Sequence, residues 1–313
     1  MAPHRIDTHT HPYPKAYLDA TREVLAKTTH AFYDRLTKWT VSQHLEAMDR
    51  TGIAVSVLSI ATPNVWLGDA ASSTRLAREC NDACAKMQSD HKGRFGHFAT
   101  LALPDVDGSL REIEYAYDTL KADGIALTTN YIDKYPGEEA WAPVFDELNR
   151  RKAVVYFHPT AASFAFNVVP NIPPPTIEFP FDTTRAIVSL LFSGTAGRCP
   201  DVRFIFSHGG GTVPFLIERF TRLAMRKEHR VTLPGGVLPE LRRFHYELAQ
   251  AAHPYAVSSL RRLVSISQIL FGTDYPYRTT RDIVKGLGTC GFSERELRAI
   301  NRGNALKLFP RFA

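Results

Sequence analysis

Cysteine is scarce in this chain of 313 residues and occurs only at Cys80, Cys84, Cys199 and Cys290. Cys80 and Cys84 stand one helical turn apart, a spacing that favours buried thiols over zinc ligation. Four scattered cysteines do not provide the framework of a disulfide-stapled secreted protein. We therefore expect a cytoplasmic protein whose fold does not depend on disulfide bonds.

Long apolar runs are missing as well. No stretch of about 18 apolar residues occurs, so no membrane span is expected. The opening MAPHRIDTHTHPYP contains no apolar segment like that of a secretory leader. Internal repeats and low-complexity linkers are also missing, and the share of hydrophobic residues, 44%, is typical of a globular protein. We predict a single domain over 1–313, with loop insertions at about 12–41 and 160–182.

The net charge is +6, but the basic residues are not concentrated in one segment. The basic residues are spread over predicted helices, with only short clusters such as 222–230. No zinc-finger spacing or RNA-binding signature accompanies them. We therefore expect no nucleic-acid partner, whereas a positive field would attract a small anionic substrate.

Short apolar runs alternate with amphipathic helical patterns along the whole chain. The runs predict eight strands, at 5–7, 53–60, 95–101, 124–130, 153–159, 202–208, 244–250 and 268–274. The helical patterns lie at 42–52, 76–93, 107–124, 141–152, 183–194, 212–227 and 255–264, with one or two closing helices after them. Such alternation indicates parallel strands with crossover helices, and eight strands favour a closed (β/α)₈ TIM barrel of the α/β class.

Both insertions follow strands at their carboxyl ends, the face where barrel active sites lie. Long loops at this face act as lids or as partner contacts. The 160–182 segment is rich in proline and in large apolar residues, and a monomer rarely exposes so large an apolar patch. We predict a homodimer that buries this segment, with a lid over the chain's own barrel as the alternative.

Histidines end the first strand. His9 and His11 alternate along it, so their side chains share one side, and two imidazoles on one side are half of a divalent-metal site. Surface histidines near a terminus would give the same pattern. However, the fifth, sixth and eighth strands end in His158, His208 and Asp274. Because strand ends converge at the mouth of a barrel, these groups together predict a metal site with acid/base residues.

Four motifs resemble those of the amidohydrolase superfamily, in the branch of aminocarboxymuconate-semialdehyde decarboxylase that includes 6-methylsalicylate and γ-resorcylate decarboxylases. They are RIDTHTHPYP, VVYFHPT, FIFSHGGGTVPFLIER and LFGTDYPY. The resemblance extends from Arg5 to about Leu308. It implies a non-oxidative decarboxylase of a small aromatic or unsaturated carboxylic acid, preferably a salicylate-like acid, and it also implies a dimer.

The resemblance implies roles for individual residues. His9, His11, His158 and Asp274 match the ligands of one divalent ion, with zinc preferred and manganese as the alternative. His208 matches the catalytic acid/base histidine, and Asp274 is a second candidate for the proton donor. Two departures are visible. Some relatives carry an acidic residue where this chain has His9, and the seventh strand reads Tyr-Glu-Leu instead of a Tyr-Asp-Thr-like run, which weakens the substrate assignment.

The metal ligands alone do not fix the reaction. The same set serves a hydrolase or hydratase of the lactonase type, in which Asp274 would take the proton of an attacking water. A non-catalytic metal-stabilised scaffold is disfavoured, because four ligands plus His208 exceed what a structural site requires. The decarboxylase is the preferred interpretation because the resemblance covers nearly the whole chain.

Substrate contacts are predicted at four positions, each with a structural alternative. Arg185 would clamp a carboxylate through its guanidinium, or be an exposed helix charge. Tyr13 would pack on a substrate ring, or pack within its loop. Asn130 and Tyr131 end the fourth strand and are expected to face the barrel mouth. Asp182 is expected to cap the helix that follows it.

Overall fold

Each strand pairs in parallel with the strand that follows it along the chain. The computed structural model describes residues 4–28, 32–166 and 168–313. Its strands β1 to β8 are Arg5–Thr10, Ile53–Leu58, Phe95–Thr100, Gly124–Thr128, Val154–His158, Arg203–Phe206, His245–Glu247 and Ile269–Leu270. They form one sheet in the order β1 to β8, as the alternating pattern predicts.

The last strand meets the first. The amide of Thr8 donates to the carbonyl of Phe271 at 3.0 Å, and the amide of Asp274 donates to the carbonyl of His9 at 2.9 Å. These bonds join β1 to the segment after β8, so the predicted TIM barrel is confirmed. All eight carboxyl ends consequently surround one mouth.

Helices separate the strands and surround the barrel. The fourteen α-helices of the described residues, α1 to α14, are Lys15–Thr28, Tyr33–Thr37, Val41–Thr51, Ala70–Asp90, Val106–Asp118, Ala142–Arg150, Pro174–Phe192, Thr195–Arg198, Val213–Ala224, Val237–Arg243, Pro254–Leu263, Thr280–Thr289, Glu294–Arg298 and Asn304–Leu308. None of the helices within those residues combines the length and apolar character that crossing a bilayer requires.

The cap of α3 lies two residues before the predicted 42–52 pattern. The helix is capped by Thr40, whose hydroxyl accepts the amide of Gln43 at 3.2 Å. The Gln43 side chain in turn accepts the Thr40 amide at 3.1 Å. This reciprocal pair satisfies two amides that a single serine cap would leave unpaired. The helix ends at left-handed Gly52, as expected.

The two insertions contain helices. Most of the first forms α1 and α2, which bury Tyr17, Leu25 and Leu36 in a satellite apolar cluster; residues 29–31 lie outside the described residues. In the second, α7 begins at Pro174, well before residue 183. Proline suits the first turn of a helix because that position needs no amide donor, so the Pro-rich sequence conceals a helix start.

The interior of the barrel forms an apolar floor below the mouth. Phe98 and Tyr156 stack there with ring centroids 5.5 Å apart. The Tyr156 ring lies 5.4 Å from the ring of His9. A second, larger apolar cluster fills the layer between the sheet and the helices. The histidines of the mouth therefore rest on a rigid base.

Three buried histidines predict a loss of stability in acid. Burial lowers the pKa of His44 to about 3 and the pKa values of His97 and His245 to about 4. An unfolded histidine binds a proton near pH ~6.5, so between that pH and about 4 the unfolded chain binds more protons than the folded one. The free energy of unfolding should therefore decrease as the pH is lowered through this range, by about 1.4 kcal/mol per pH unit for each histidine.

Urea unfolding across this pH window measures the effect. The variant His97→Gln lacks one of the three titrating groups, so its free energy of unfolding should decline less steeply than that of the parent. The comparison removes the contribution of carboxylates, which both proteins share. An equal slope in the two proteins would contradict the assignment for His97.

Candidate active site

His9 and His11 share one side of β1, as the strand alternation predicts. Both are fully buried, and their Nε2 atoms lie 2.9 Å apart. Thr8 and Thr10, which alternate with the histidines, point the other way. The Thr8 hydroxyl donates to the carbonyl of Phe271, and the Thr10 hydroxyl donates to the carbonyl of Val57. The strand thus separates two structural hydroxyls from two imidazoles at the mouth.

Asp274 and His158 complete a group of four. The Asp274 Oδ1 atom lies 3.3 Å from His9 Nε2 and 3.2 Å from His11 Nε2. One ligating atom from each of the four residues lies within 4.8 Å of the others. Donor atoms about 2 Å from a common ion lie roughly 3 Å from one another. The sequence-predicted ligand set is therefore brought together at the spacing that one metal ion requires.

Two buried atoms of this group lack a hydrogen bond of normal geometry. Asp274 Oδ1 lies within ion-pair distance of His9 and His11 without such a bond, and His158 Nδ1 has no hydrogen-bond partner among the described residues. Buried polar atoms without partners are costly. Three imidazoles and a carboxylate are also a donor set that suits zinc and related divalent ions, so the residues present fit a metal.

Hydrogen bonds on the far side of the rings fix their orientation. His11 Nδ1 donates to the carbonyl of Ser59 at 2.9 Å, which leaves its Nε2 free as a ligand. His9 Nδ1 pairs with Glu247 Oε1 at 2.9 Å. Such outer contacts set both the tautomer and the direction of a metal-binding histidine.

Glu247 contacts more of the site than its strand position suggests. It is fully buried, and besides His9 it accepts the amides of His208 and Ala249, each at 2.6 Å. In the sequence, Glu247 stands out only as a departure from the family pattern. The signal that would have found it is an acidic residue inside a short apolar strand, because a buried carboxylate needs partners.

Gly272 leaves the space that Glu247 occupies. A Cβ atom at this position would lie 2.0 Å from Glu247 Oε2 and 3.0 Å from the Cβ of His9. Gly272→Ala is therefore expected to displace the carboxylate and the histidine. We expect lower thermal stability, by about 1–3 kcal/mol as for other overpacked cores, together with weaker retention of metal.

Gly288→Ala is the matched control, because nothing lies within 4 Å of a Cβ atom there and the residue belongs to α12. Alanine favours a helix, so this variant should be as stable as the parent or slightly more stable. Thermal unfolding and metal analysis of both variants make the comparison. Equal behaviour of the two would mean that the packing around Glu247 is not required.

His208 lies beside the four ligands. Its ring centroid is 5.2 Å from that of His9, and its Nε2 is 3.7 Å from Asp274 Oδ2, the oxygen that does not face His9 and His11. Neither ring nitrogen has a hydrogen-bond partner among the described residues. His208 also forms a second close group with His9 and Glu247, but that carboxylate already makes three hydrogen bonds.

The electrostatics of the cluster favour a positive charge at its centre. Burial acts to lower the pKa of His9, but Glu247 and Asp274 outweigh it and raise this pKa to about 10. Burial likewise acts to raise the pKa of Asp274, but charged His9 and hydrogen bonding by neighbouring histidines hold it well below its usual range. Burial lowers the pKa of His158 well below its usual range, so that ring is neutral. A divalent cation bound there would supply the positive charge that this arrangement favours.

Asp182 does not cap a helix, contrary to the expectation. Because α7 begins at Pro174, Asp182 lies inside the helix, where its buried carboxylate accepts hydrogen bonds from the Thr129 hydroxyl, the Asn130 amide at 2.8 Å and the Tyr135 hydroxyl at 2.7 Å. These bonds join the end of β4 to α7. Asp182 is thus a structural anchor for the helix that covers the mouth.

Asn130 and Tyr131 are held within the scaffold. Asn130 donates to Asp182 and, at 2.9 Å, to the carbonyl of Thr160, so its side-chain NH₂ group is engaged twice. The Tyr131 ring packs edge-on to Trp141 in the layer between sheet and helices. Its hydroxyl accepts the amide of Thr128 at 3.1 Å. The structure thus gives both residues a packing role and shows no contact toward the four ligands.

Arg185 keeps a free donor. Its Nη1 lies 3.5 Å from Asp182 Oδ1, beyond a strong hydrogen bond, and makes no hydrogen bond within the described residues. The guanidinium lies over the ring of Phe164 at 5.4 Å, and 38% of the side chain is exposed. Arg185 is thus anchored but able to accept an anionic partner.

Two tyrosines and a phenylalanine surround the ligands. Tyr13 is buried and Tyr277 is half-buried, and their hydroxyls make no hydrogen bond of normal geometry with the described residues. The Tyr277 ring lies 5.8 Å from that of His11, and the Phe179 ring lies 6.3 Å from that of His158. Burial raises the pKa of Tyr13 well above its usual range, so it stays a neutral donor. The sequence predicts a substrate contact at Tyr13 but gives no such prediction for Tyr277 or Phe179.

Curated relatives of this chain are named as decarboxylases. The decarboxylase yanB of Aspergillus niger is 37% identical, over 98% of this chain and 88% of that protein. The 6-methylsalicylic acid decarboxylase acuB of Aspergillus aculeatus is 34% identical, over 98% of this chain and 96% of that protein. Decarboxylases of this kind are carboxy-lyases, and the resemblance seen in the motifs is confirmed.

A solved structure and a family model agree with the fold. The dihydroxybenzoic acid decarboxylase of Polaromonas sp. JS666, solved with bound manganese and the inhibitor 2-nitroresorcinol, has a TM-score of 0.86 at 22% identity and covers 99% of this chain and 97% of that chain. This likeness shows a shared fold. The model of the family described as Amidohydrolase matches residues 6–311. With nearly its whole length matched, the chain belongs to the amidohydrolase family.

Proposed function

We propose that this chain is a metal-dependent non-oxidative decarboxylase of a small aromatic or unsaturated carboxylic acid, preferably a salicylate-like acid. The observation that carries the proposal is the group of four ligands with His208 at its edge, 3.7 Å from the outer oxygen of Asp274. The names of relatives 37% and 34% identical to the chain support the same reaction class.

One divalent ion would be held by His9, His11, His158 and Asp274. Three imidazoles and one carboxylate suit zinc, our preferred ion, and manganese is the alternative, which a solved relative of the same fold contains. Bound there, the ion would act as a template and Lewis acid for the substrate carboxylate and an adjacent oxygen.

His208 is placed to move the proton. In decarboxylation the bond between the ring carbon and the carboxylate breaks, carbon dioxide leaves, and a proton adds to the same carbon. Asp274 turns Oδ1 toward His9 and His11, whereas both ring nitrogens of His208 are free of hydrogen bonds among the described residues. His208 is therefore the better proton carrier, and Asp274 Oδ2 is a charged neighbour 3.7 Å from its Nε2.

Aromatic side chains and one cation would hold the substrate. Phe179 and Tyr277 flank the ligands at ring distances of 6.3 and 5.8 Å, which suits a flat substrate ring. The unpaired hydroxyl of Tyr13 is a donor for a substrate oxygen. Arg185, with its free Nη1, would attract the carboxylate at the mouth. Asn130 and Tyr131 fit such a role less well, because the Asn130 NH₂ group and the Tyr131 hydroxyl already have partners.

Carbon dioxide release tests the proposal. The zinc- or manganese-loaded protein should release carbon dioxide from at least one acid in a panel of hydroxybenzoates that includes 6-methylsalicylate and 2,6-dihydroxybenzoate. Lactones assayed in parallel cover the hydrolase alternative, and Asp274→Asn serves as the blank. Lactone opening without any carbon dioxide release would overturn the decarboxylase in favour of the hydrolase.

We also propose a homodimer in a reducing, cytoplasmic environment. Six large apolar side chains of the Pro-rich segment are at least 40% exposed in the single chain: Phe164, Phe166, Val168, Val169, Ile172 and Phe181. A lid folded onto its own barrel would bury them, whereas a second subunit would cover them across a two-fold axis. All four cysteines are free thiols, as suits a reducing compartment.

Sedimentation at micromolar concentration should show a species of twice 35.1 kDa. Replacing Phe166 and Val169 by Asp should dissociate it, because charges would enter an apolar interface. Val231→Asp is the matched control, since Val231 is 88% exposed outside the Pro-rich segment. A fully active monomer in the parent protein would refute the dimer.

A further inference from the structure

Three neighbouring strands end in turns that place a residue other than glycine in the left-handed region. His208 follows β6 at φ 53°, Gln250 follows β7 at φ 53°, and Asp274 follows β8 at φ 62°. Side chains disfavour this conformation by about 1 kcal/mol or more, and such residues cluster at functional sites. Two of the three already belong to the candidate active site.

The backbone alone does not assign a role to Gln250, because left-handed residues such as Lys152 also occur at ordinary helix ends. The second observation is a contact. The side-chain amide of Gln250 donates a hydrogen bond to Asp274 Oδ2. This is the oxygen that faces His208, while Oδ1 faces the two imidazoles of β1.

The other end of the Gln250 amide is also held. Its Oε1 accepts a hydrogen bond from Arg278 Nε at 3.4 Å, which turns the NH₂ group toward Asp274. Gln250 is exposed, whereas Asp274 is only 3% exposed. The amide therefore lies between the solvent of the mouth and the buried carboxylate.

We propose that Gln250 is a positioning residue. Its amide fixes the Asp274 carboxylate with Oδ1 toward His9 and His11 and Oδ2 toward His208. A glycine would adopt this turn with less strain, but it would remove the amide that holds Asp274. The effect on turnover depends on the proposed decarboxylase, whereas the effect on cation binding does not.

Two variants separate the side chain from the backbone. Gln250→Gly relieves the strain of the left-handed backbone but removes the side-chain amide. Gln250→Met keeps the side-chain length and the backbone strain but has no hydrogen-bond donor. Zinc affinity, measured by competition with a chelating dye, should fall about 10-fold to 100-fold in both, as for other residues that orient metal ligands. The thermal midpoint of Gln250→Gly should equal or exceed that of the parent.

Turnover gives the second readout. In both variants kcat should fall by about 10-fold or more while KM changes little. The reason is that the amide positions Asp274 beside His208 and does not touch the substrate. Lys152→Gly is the backbone control, with a similar φ of 51°, and Gln268→Met is the side-chain control, in the turn that leads into β8. Both controls should bind zinc like the parent.

The outcomes are distinct. Parental zinc affinity and a kcat within about twofold in Gln250→Gly would overturn the role of Gln250. Weaker zinc binding in both variants, with no decarboxylation even by the parent, would uphold the positioning role and refute the proposed function. Weaker binding in the controls as well would assign the effect to general destabilisation and also overturn the proposal.

Discussion

Changing His158 or Asp274 to Ala is expected to remove the bound divalent ion and the activity together. Each substitution deletes a candidate ligating group from a cluster whose atoms lie within 4.8 Å of one another. Each variant keeps three of the four groups, and Asp274→Ala also removes the only negative charge among them. A metal acting as a Lewis acid contributes several kcal/mol to the transition state, so turnover should drop by about 10³-fold or more.

Metal analysis of the purified proteins checks this result. The parent should contain about one divalent ion per chain, and both variants should contain far less. His253→Ala is the control, because His253 precedes α11 and does not belong to the ligand group. Parental activity after chelation, with no ion found in any of the proteins, would show that the site is not a metal site.

Replacing His208 with Ala should leave the ion bound but lower turnover by a comparable factor. The ring lies 3.7 Å from Asp274 Oδ2, and His208 is not one of the four grouped ligands. The ion should therefore stay bound. Loss of a positioned acid/base group costs about 10²–10⁴-fold in rate, so kcat should fall within that range.

Paired measurements of metal content and kcat distinguish the two possible roles of His208. Retained metal with a large fall in kcat supports the proton carrier. His208→Ala protein that has lost its ion would instead make His208 a ligand. Gln at the same position should not restore turnover, because an amide does not exchange protons near neutral pH.

The barrel and the meeting of its candidate ligands were predictable because both rest on local patterns. Continuous β-branched runs between amphipathic helices predict parallel strands, and β-strand alternation places His9 beside His11 without any knowledge of the rest of the fold. Since strand ends converge in every barrel, the positions of His158, His208 and Asp274 in the sequence were enough to bring them to one mouth.

Predictions that depended on where a helix or strand begins or ends were less accurate. Asp182 was expected to cap a helix because prolines before it suggested a loop, yet the helix starts earlier and buries this carboxylate against β4. Strands β7 and β8 are shorter than their apolar runs, since the chain leaves them through residues that turn toward the site. Here tertiary contacts override the local pattern.

The sequence by itself determined the fold class and was enough to predict that His9, His11, His158, His208 and Asp274 meet at one mouth. Only the tertiary structure decided which groups support them: Glu247 behind His9, Gln250 beside Asp274, and Tyr277 next to His11. Each of these contacts joins residues from different strand ends or from the loops beyond them. Their distances depend on how the barrel closes and where each turn directs its side chain, and neither periodicity nor propensity encodes that geometry.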